Sequence, residues 1–292
     1  MFQSTLRAPC RIQGIGLHSG RQTGIALLPA PANTGIVFRI REGDRQVDIP
    51  ARSEFVVSTI LNTTLGRGDQ QVCTVEHLLA ALAGLEIDNA IVMTDGHEIP
   101  AMDGSAQPFV TRIMEVGRKV QPAQRRYLRI LEPIYVQEGD RFSGLYPAVA
   151  PTFTFSIDFD HPAIQTQTYR VRLTPQSFVA ELARARTFGF IEDLESLRER
   201  GLARGAGVEN AVGLSREGEV INAEGLRYPD EFVRHKIVDA IGDLSLAGYP
   251  LLGEFRGIKS GHRLHSRLLA CLAEREEAWD LVSAADQDAQ AV

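Results

Sequence analysis

The sequence predicts an α+β fold of two similar halves, each a sheet with a helical layer, packed face to face. Three observations carry that expectation. Strand-like runs bounded by Gly, Pro and Asn recur in both halves, and the run from Phe153 to Phe159 alternates with the period of two of a half-buried strand. One helix of each half stands out, at 74–82 and at about 230–248. These helices echo each other: Val75-Glu76-His77 followed by Gly84 matches Val233-Arg234-His235 followed by Gly242, displaced by 158 residues throughout. Halves meeting near a pseudo-twofold axis would bring the two aligned histidines together.

The elements follow in order. Residues 20–28 read as a strand after a Gly turn, 29–35 as a loop rich in Pro and Asn, and 36–40 as a second strand. Thr74 is a fair N-cap for the first helix, with Gly84 as its stop signal. Ala90-Ile91-Val92-Met93 reads as a buried strand and Asp103-Gly104-Ser105 as a turn. The stretch 117–126 is polar, basic and interrupted by Pro122; it sets the boundary between a first domain, 1–120, and a second, 127–273. Beyond it, 177–185 and 194–200 read as helices, and Gly201, Gly205 and Gly207 as a flexible segment. Those glycines neither follow a strand nor open a helix, so they do not form a dinucleotide or phosphate loop. Pro229-Asp230 opens the second long helix and Gly248 closes it. From 274 to 292 the chain is acidic and alanine-rich, and a frayed tail is expected.

Composition narrows the function. The 292 residues are 44% hydrophobic and 23% charged, as in a soluble protein with a substantial core, and the net charge of −6 opposes nucleic acid as the main partner. The three cysteines, Cys10, Cys73 and Cys271, are scattered and form no CxxC pair, which disfavours a disulfide framework and a thiolate zinc site. No apolar run reaches the ~18 residues of a membrane span, and the first residues, with Arg7 and Arg11, show no signal-peptide core. A cytoplasmic protein is expected.

In the second long helix His235, Asp239 and Asp243 recur every four residues and share one stripe, with Val233, Ile237, Ile241 and Leu244 on the opposite side. Imidazole and carboxylate are ligands that Zn²⁺ accepts. Spacing alone favours a plainer account, a solvated polar face with a His–Asp pair at i, i+4. The metal alternative needs a further ligand and a base, and Glu76-His77 is the best source of both; Glu76 by itself reads as a first-turn acid stabilising the helix dipole. His262, in Lys259-Ser260-Gly261-His262, is either a functional side chain beside a close backbone approach or a surface histidine, and Asp243 could hold it protonated. Asp95, His97, Glu98 and Asp103 match no ligand spacing and read as a structured turn; His18, His161 and His265 carry no local assignment.

Together these segments resemble the UDP-3-O-acyl-N-acetylglucosamine deacetylase family, the zinc amidases of lipid A biosynthesis. The matching blocks are Gly14-Ile15-Gly16-Leu17-His18-Ser19-Gly20, Pro29-Ala30-Pro31-Ala32-Asn33-Thr34-Gly35, Thr74-Val75-Glu76-His77-Leu78, Ile99-Pro100-Ala101-Met102-Asp103-Gly104-Ser105, Asp158-Phe159-Asp160-His161-Pro162, Ala185-Arg186-Thr187-Phe188-Gly189-Phe190, the 231–243 helix and Lys259-Ser260-Gly261-His262, in the family's order over roughly the first 270 residues. The resemblance implies two α+β domains whose helices meet at the centre. It implies a Zn²⁺ cofactor held by His77, His235 and Asp239, with Glu76 as general base, His262 as catalytic histidine, Asp243 as its partner and Thr187 as the hydroxyl at the oxyanion. It assigns Lys236 to the substrate, at its diphosphate, Asp158 and Phe159 to the uridine, and Leu17, Phe188, Leu194, Ala203 and Ala211 to an apolar passage for the acyl chain, within an insert of the second domain. The segment Gly205-Ala206-Gly207-Val208-Glu209-Asn210 departs from the family's usual Gly-Ser and Asp by small or like-charged replacements.

The implied partner is a UDP-linked acylated amino sugar, and the implied products are acetate and the free-amine UDP-sugar. A monomer is expected, with peripheral contact at a membrane surface where so greasy a substrate can reside. The competing expectations are another zinc hydrolase, against which the uridine block argues, and a UDP-sugar-binding protein with a structural zinc. The latter would need neither base nor acid and would use four protein ligands.

Overall fold

The structure is a computed structural model, and it describes residues 1–283 apart from Asp44 and Asp95. Alternating apolar residues build one five-stranded sheet in each half. In the first, β1 (Cys10–Ile15), β2 (Gln22–Pro29), β3 (Ile36–Glu42), β4 (Arg45–Pro50) and β5 (Ala90–Thr94) lie in the order β1-β2-β5-β3-β4. In the second, β6 (Ile134–Glu138), β7 (Arg141–Tyr146), β8 (Thr152–Phe159), β9 (Gln165–Arg172) and β10 (Glu254–Ile258) lie in the order β6-β7-β10-β8-β9. Each sheet is thus two antiparallel hairpins joined by a late strand. That strand runs antiparallel to one hairpin and parallel to the other: β5 against β2 and β3, β10 against β7 and β8.

A parallel neighbour requires a crossover, and in both halves a helix supplies it. Helix α1 (Glu76–Gly84) precedes β5, and α2 (Gln107–Val116) follows it; α3 (Glu231–Leu244) precedes β10, and α4 (His262–Glu274) follows it. The short sequence echo is therefore the visible part of a repeat of whole topology. The two sheets carry their crossover helices inward, and α1 packs directly on α3. Gly242 permits that approach: a Cβ there would stand 2.0 Å from the Glu76 carbonyl oxygen. Leu78, Leu79, Val233, Ile237 and Ile241 of the two helices belong to the core, each at most 2% exposed. Each fully buried side chain of this size contributes about 1.5–3 kcal/mol over an exposed one.

The helix pair leaves α3 buried on both faces, so its polar stripe is not the solvated surface that spacing alone favours. Three further expectations change. Thr74 is not the N-cap of α1; Val75 holds that position, and Thr74 stands before it with φ 59°. The basic boundary segment is itself a strand over Arg118–Gln124, paired antiparallel with Phe2–Leu6, and Pro122 falls where the register shifts, a tolerated place for a residue without an N–H. The expected tail is ordered over Trp279–Ser283, a strand antiparallel to Arg126–Ile130; residues 284–292 lie outside the described residues. Helix α3 does end where Gly248 predicts, through a single 3₁₀ turn and a left-handed glycine at φ 82°.

Candidate metal centre

The first turn of α1 and the middle of α3 face each other, and the repeat brings His77 and His235 together with ring centroids 4.9 Å apart at 80°. Asp239, one turn beyond His235, completes the group: its Oδ1 is 3.4 Å from His77 Nε2 and 3.3 Å from His235 Nε2. One donor atom from each of the three residues lies within 4.8 Å of the others. His77, His235 and Asp239 are 5%, 1% and 2% exposed, which rules out a solvated pair.

The donor set suits a divalent cation. His235 Nδ1 donates to the Ala185 carbonyl at 3.0 Å, so its Nε2 carries the lone pair that faces the group, an outer contact typical of metal-ligating histidines. Burial, ahead of the opposing pull of Asp239, lowers His235 to about 3 and keeps it a neutral ligand. Burial works to raise Asp239, but His235, Lys236 and His77 outweigh it and hold the carboxylate well below its usual range. Two imidazoles and a carboxylate are the three-ligand set of a catalytic site, which keeps a position open.

Glu76 adjoins the group, 3% exposed, and accepts the Thr63 backbone N–H at 3.0 Å. Burial raises its pKa against the pull of His262 and His77. Asp243 lies beyond Asp239 on the same stripe. Its Oδ2 accepts from His262 Nδ1 at 2.8 Å and from His265 Nδ1 at 2.7 Å, and its Oδ1 accepts from Thr63 Oγ1 at 2.6 Å. Burial opposes a charged His262, but Asp243, and then Glu76 and Asp239, carry it up to about 9. His262 opens α4, directly after the extended Gly261.

Of the expected substrate residues, Lys236 and Phe188 reach this centre and Phe159 adjoins Phe188. Lys236 Nζ meets Asp239 Oδ2 at 3.0 Å and stands 5.6 Å from the Phe188 ring centroid. Phe188 contacts Phe159 edge-on at 5.8 Å and reaches the His235 ring at 6.5 Å. Asp158 pairs with Lys259 at 2.8 Å and accepts from Thr166 at 2.8 Å. Thr187 is pinned through its backbone, its N–H to Gly104 and its carbonyl to Val212. Phe188 stands opposite Val212 in a two-stranded parallel pair, beside Ala211, and Leu194 opens the short helix Leu194–Glu199 of the same insert. The Leu17 carbonyl accepts from the Gly205 N–H and the His18 carbonyl from the Arg204 N–H, with His18 Nδ1 accepting from the Ala203 N–H.

Several supporting residues carried no legible signal. Thr63 bridges Glu76 and Asp243 from a loop without a pattern of its own. Arg186 is 1% exposed, and its N–H and Nε donate to Glu231 Oε1 at 2.9 and 2.8 Å. This pair fixes Ala185, Thr187 and Phe188 to the first turn of α3. His265 Nδ1 donates to Asp243, and Lys259 pairs with Asp140 and Asp158. Glu98 binds the His18 and Ser19 N–H groups, and Asp103 binds Ser105 and Arg227, as a structured turn should; Asp95 lies outside the described residues. His161 bonds the Ser215 carbonyl, a structural contact.

The comparisons agree with the residue-level resemblance. The family model for LpxC, UDP-3-O-acyl N-acetylglycosamine deacetylase, matches residues 3–274. The UDP-3-O-acyl-N-acetylglucosamine deacetylase of Idiomarina loihiensis is 47% identical over 292 residues, covering 99% of this chain and 95% of that protein. With one relative sharing nearly half its residues from end to end, and a family model matched over almost all of its length, this chain belongs to the UDP-3-O-acyl-N-acetylglycosamine deacetylase family.

Proposed function

We propose that the chain is a zinc-dependent amidohydrolase that removes the 2-acetamido group of UDP-3-O-acyl-N-acetylglucosamine, giving acetate and UDP-3-O-acyl-glucosamine in lipid A biosynthesis. The observation that carries this is the convergence of His77, His235 and Asp239 beside Glu76, in a chain of this deacetylase family. Zn²⁺, when bound by these three side chains, supplies Lewis acidity, polarising an amide carbonyl and lowering the pKa of water towards about 7.

The chain's own groups do the rest. Glu76 takes the proton of the attacking water as the oxygen adds to the acetamide carbon. The Thr187 hydroxyl donates to the oxyanion. His262, an imidazolium at neutral pH, then protonates the leaving amine, while Asp243 orients its ring and stabilises its charge. Lys236 and the Asp158–Phe159 segment receive the nucleotide end. Leu17, Phe188, Leu194, Ala203 and Ala211 receive the acyl chain.

The enzyme is proposed to act as a monomer. No helix among the described residues is long and apolar enough to cross a membrane, so contact with a lipid surface through the acylated substrate would be peripheral, from the cytoplasm.

The test measures metal stoichiometry and acetate release together, with and without chelator, on the UDP-linked acylated substrate and on free N-acetylglucosamine. One zinc per chain, chelator-sensitive acetate release and strong preference for the UDP-linked substrate are expected. Undiminished turnover in the fully demetallated protein would defeat the assignment.

A further inference from the structure

On the side of α1 and α3 away from the histidines the two halves enclose a cavity of about 240 Å³. Its accessible apolar lining includes Ala83 near the end of α1, Leu173 just after β9, and Leu251 beyond α3, over a base of Leu79, Leu82, Ile241 and Leu244 that are each at most 5% exposed. With a rise of ~1.5 Å per residue, Ala83, also in the lining, stands about 9 Å along the α1 axis from His77. No residue of the metal centre lines this cavity.

The rim has a different character. The Arg52 and Arg126 guanidinium carbons lie 5.4 and 5.0 Å from the Tyr249 ring centroid, and Arg126 also donates to the Tyr249 hydroxyl at 2.9 Å. Among the described residues, neither guanidinium pairs with a carboxylate. The two acids of the lining are already engaged: Asp88 with Arg125 at 2.8 Å, Glu86 with Arg125 at 3.0 Å and with Arg118 at 2.7 Å. A guanidinium resting on an aromatic ring keeps its fork of donors available to a carboxylate.

We propose that this interdomain cavity binds a small amphipathic carboxylate, its anionic head on Arg52 and Arg126 and its apolar body against Ala83, Leu173 and Leu251. An apolar cavity of about 150 Å³ holds benzene, so the volume here admits a bicyclic aromatic body. A largely apolar lining with a few convergent polar groups is the usual make-up of a small-molecule site. The site shares no side chain with the metal centre and does not depend on the deacetylase assignment.

Calorimetric titration of the intact, metal-loaded protein with 2-naphthoate, and with the neutral 2-naphthylmethanol, tests the proposal. Saturable binding of the carboxylate at one site per chain is expected, with at least tenfold weaker binding of the alcohol. The Arg52→Ala/Arg126→Ala double variant should bind naphthoate at least tenfold more weakly while turning over substrate at the wild-type rate. Ala83→Phe, which projects a ring into the cavity, should abolish binding. Absence of binding to the wild type, equal affinity for the alcohol, or undiminished affinity in the double variant would overturn the proposal; the last result would put the ligand at the metal centre or elsewhere.

Discussion

Helices α1 and α3 occupy matching places in the two sheets, and beyond the aligned histidines the residues at matching positions diverge. Glu76, before the first histidine, is a buried acid beside the candidate metal group. Its counterpart Arg234 instead packs over Tyr169 and Tyr228, 3.8 and 4.7 Å from their centroids, and pairs with Asp230. Asp239 and Asp243 of α3 match Ala81 in α1 and Leu85 just beyond it, neither of which can ligate. The glycines also match: a Cβ on Gly84 would meet the Phe178 ring at 2.4 Å, and one on Gly242 would meet the Glu76 carbonyl at 2.0 Å. The repeat thus supplies the close meeting of two helices, while individual side-chain choices supply the chemistry. The inserts diverge in the same way. The first half brings Thr63 from the loop before the strand Thr64–Arg67, and the second brings Ala185, Thr187 and Phe188.

The largest effect should come from the shared centre. His77→Ala or Asp239→Ala should lose both the bound cation and activity, by more than the ~10–100-fold typical of an outer contact to a ligand. Metal analysis beside the rate checks this, and a variant that keeps full metal and full rate would break the two-helix assignment. Glu76→Gln should cost ~10² to 10⁴ in kcat with the cation retained. Its counterpart sharpens the comparison. Arg234→Met should leave the rate of the folded enzyme within a few-fold and lower stability instead, by about 1–3 kcal/mol for lost charged hydrogen bonds.

Smaller effects test the relay and the seam. With His262 as the proposed proton donor, activity should persist below its pKa and fall as pH rises through about 9. Asp243→Asn removes the principal charge that raises this pKa, and the basic limb of the kcat/KM profile should move down by about 1–3 pH units. An unmoved limb would assign that ionisation to another group. Gly242→Ala should cost about 1–3 kcal/mol by forcing α1 and α3 apart. At 2–4 °C per kcal/mol for a chain of this size, roughly, a melting scan resolves it.

Much of this was legible locally. Strand alternation, the Pro229-Asp230 start and Gly248 stop of α3, and the offset pair His77 and His235 depend on near neighbours in the chain. Expectations failed where a distant strand intervened. Arg118–Gln124 and Trp279–Ser283 carry weak local signals and are strands because Phe2–Leu6 and Arg126–Ile130 lie alongside to take their hydrogen bonds. The stripe of His235, Asp239 and Asp243 was equally readable as a solvated face, since helical spacing records which residues share a side and nothing about what covers it.

By itself the sequence determined the periodicities, the two matching helices and the identity of every group able to ligate or carry a proton. Only the tertiary structure decided that α1 covers the polar stripe of α3, that Ala185 presents a carbonyl to His235, and that Thr63 joins Glu76 to Asp243. The physical reason is range. Backbone preference and side-chain alternation act over a few residues, whereas burial, and with it the pKa of each buried group, depends on chain segments that meet only when the two halves close on each other.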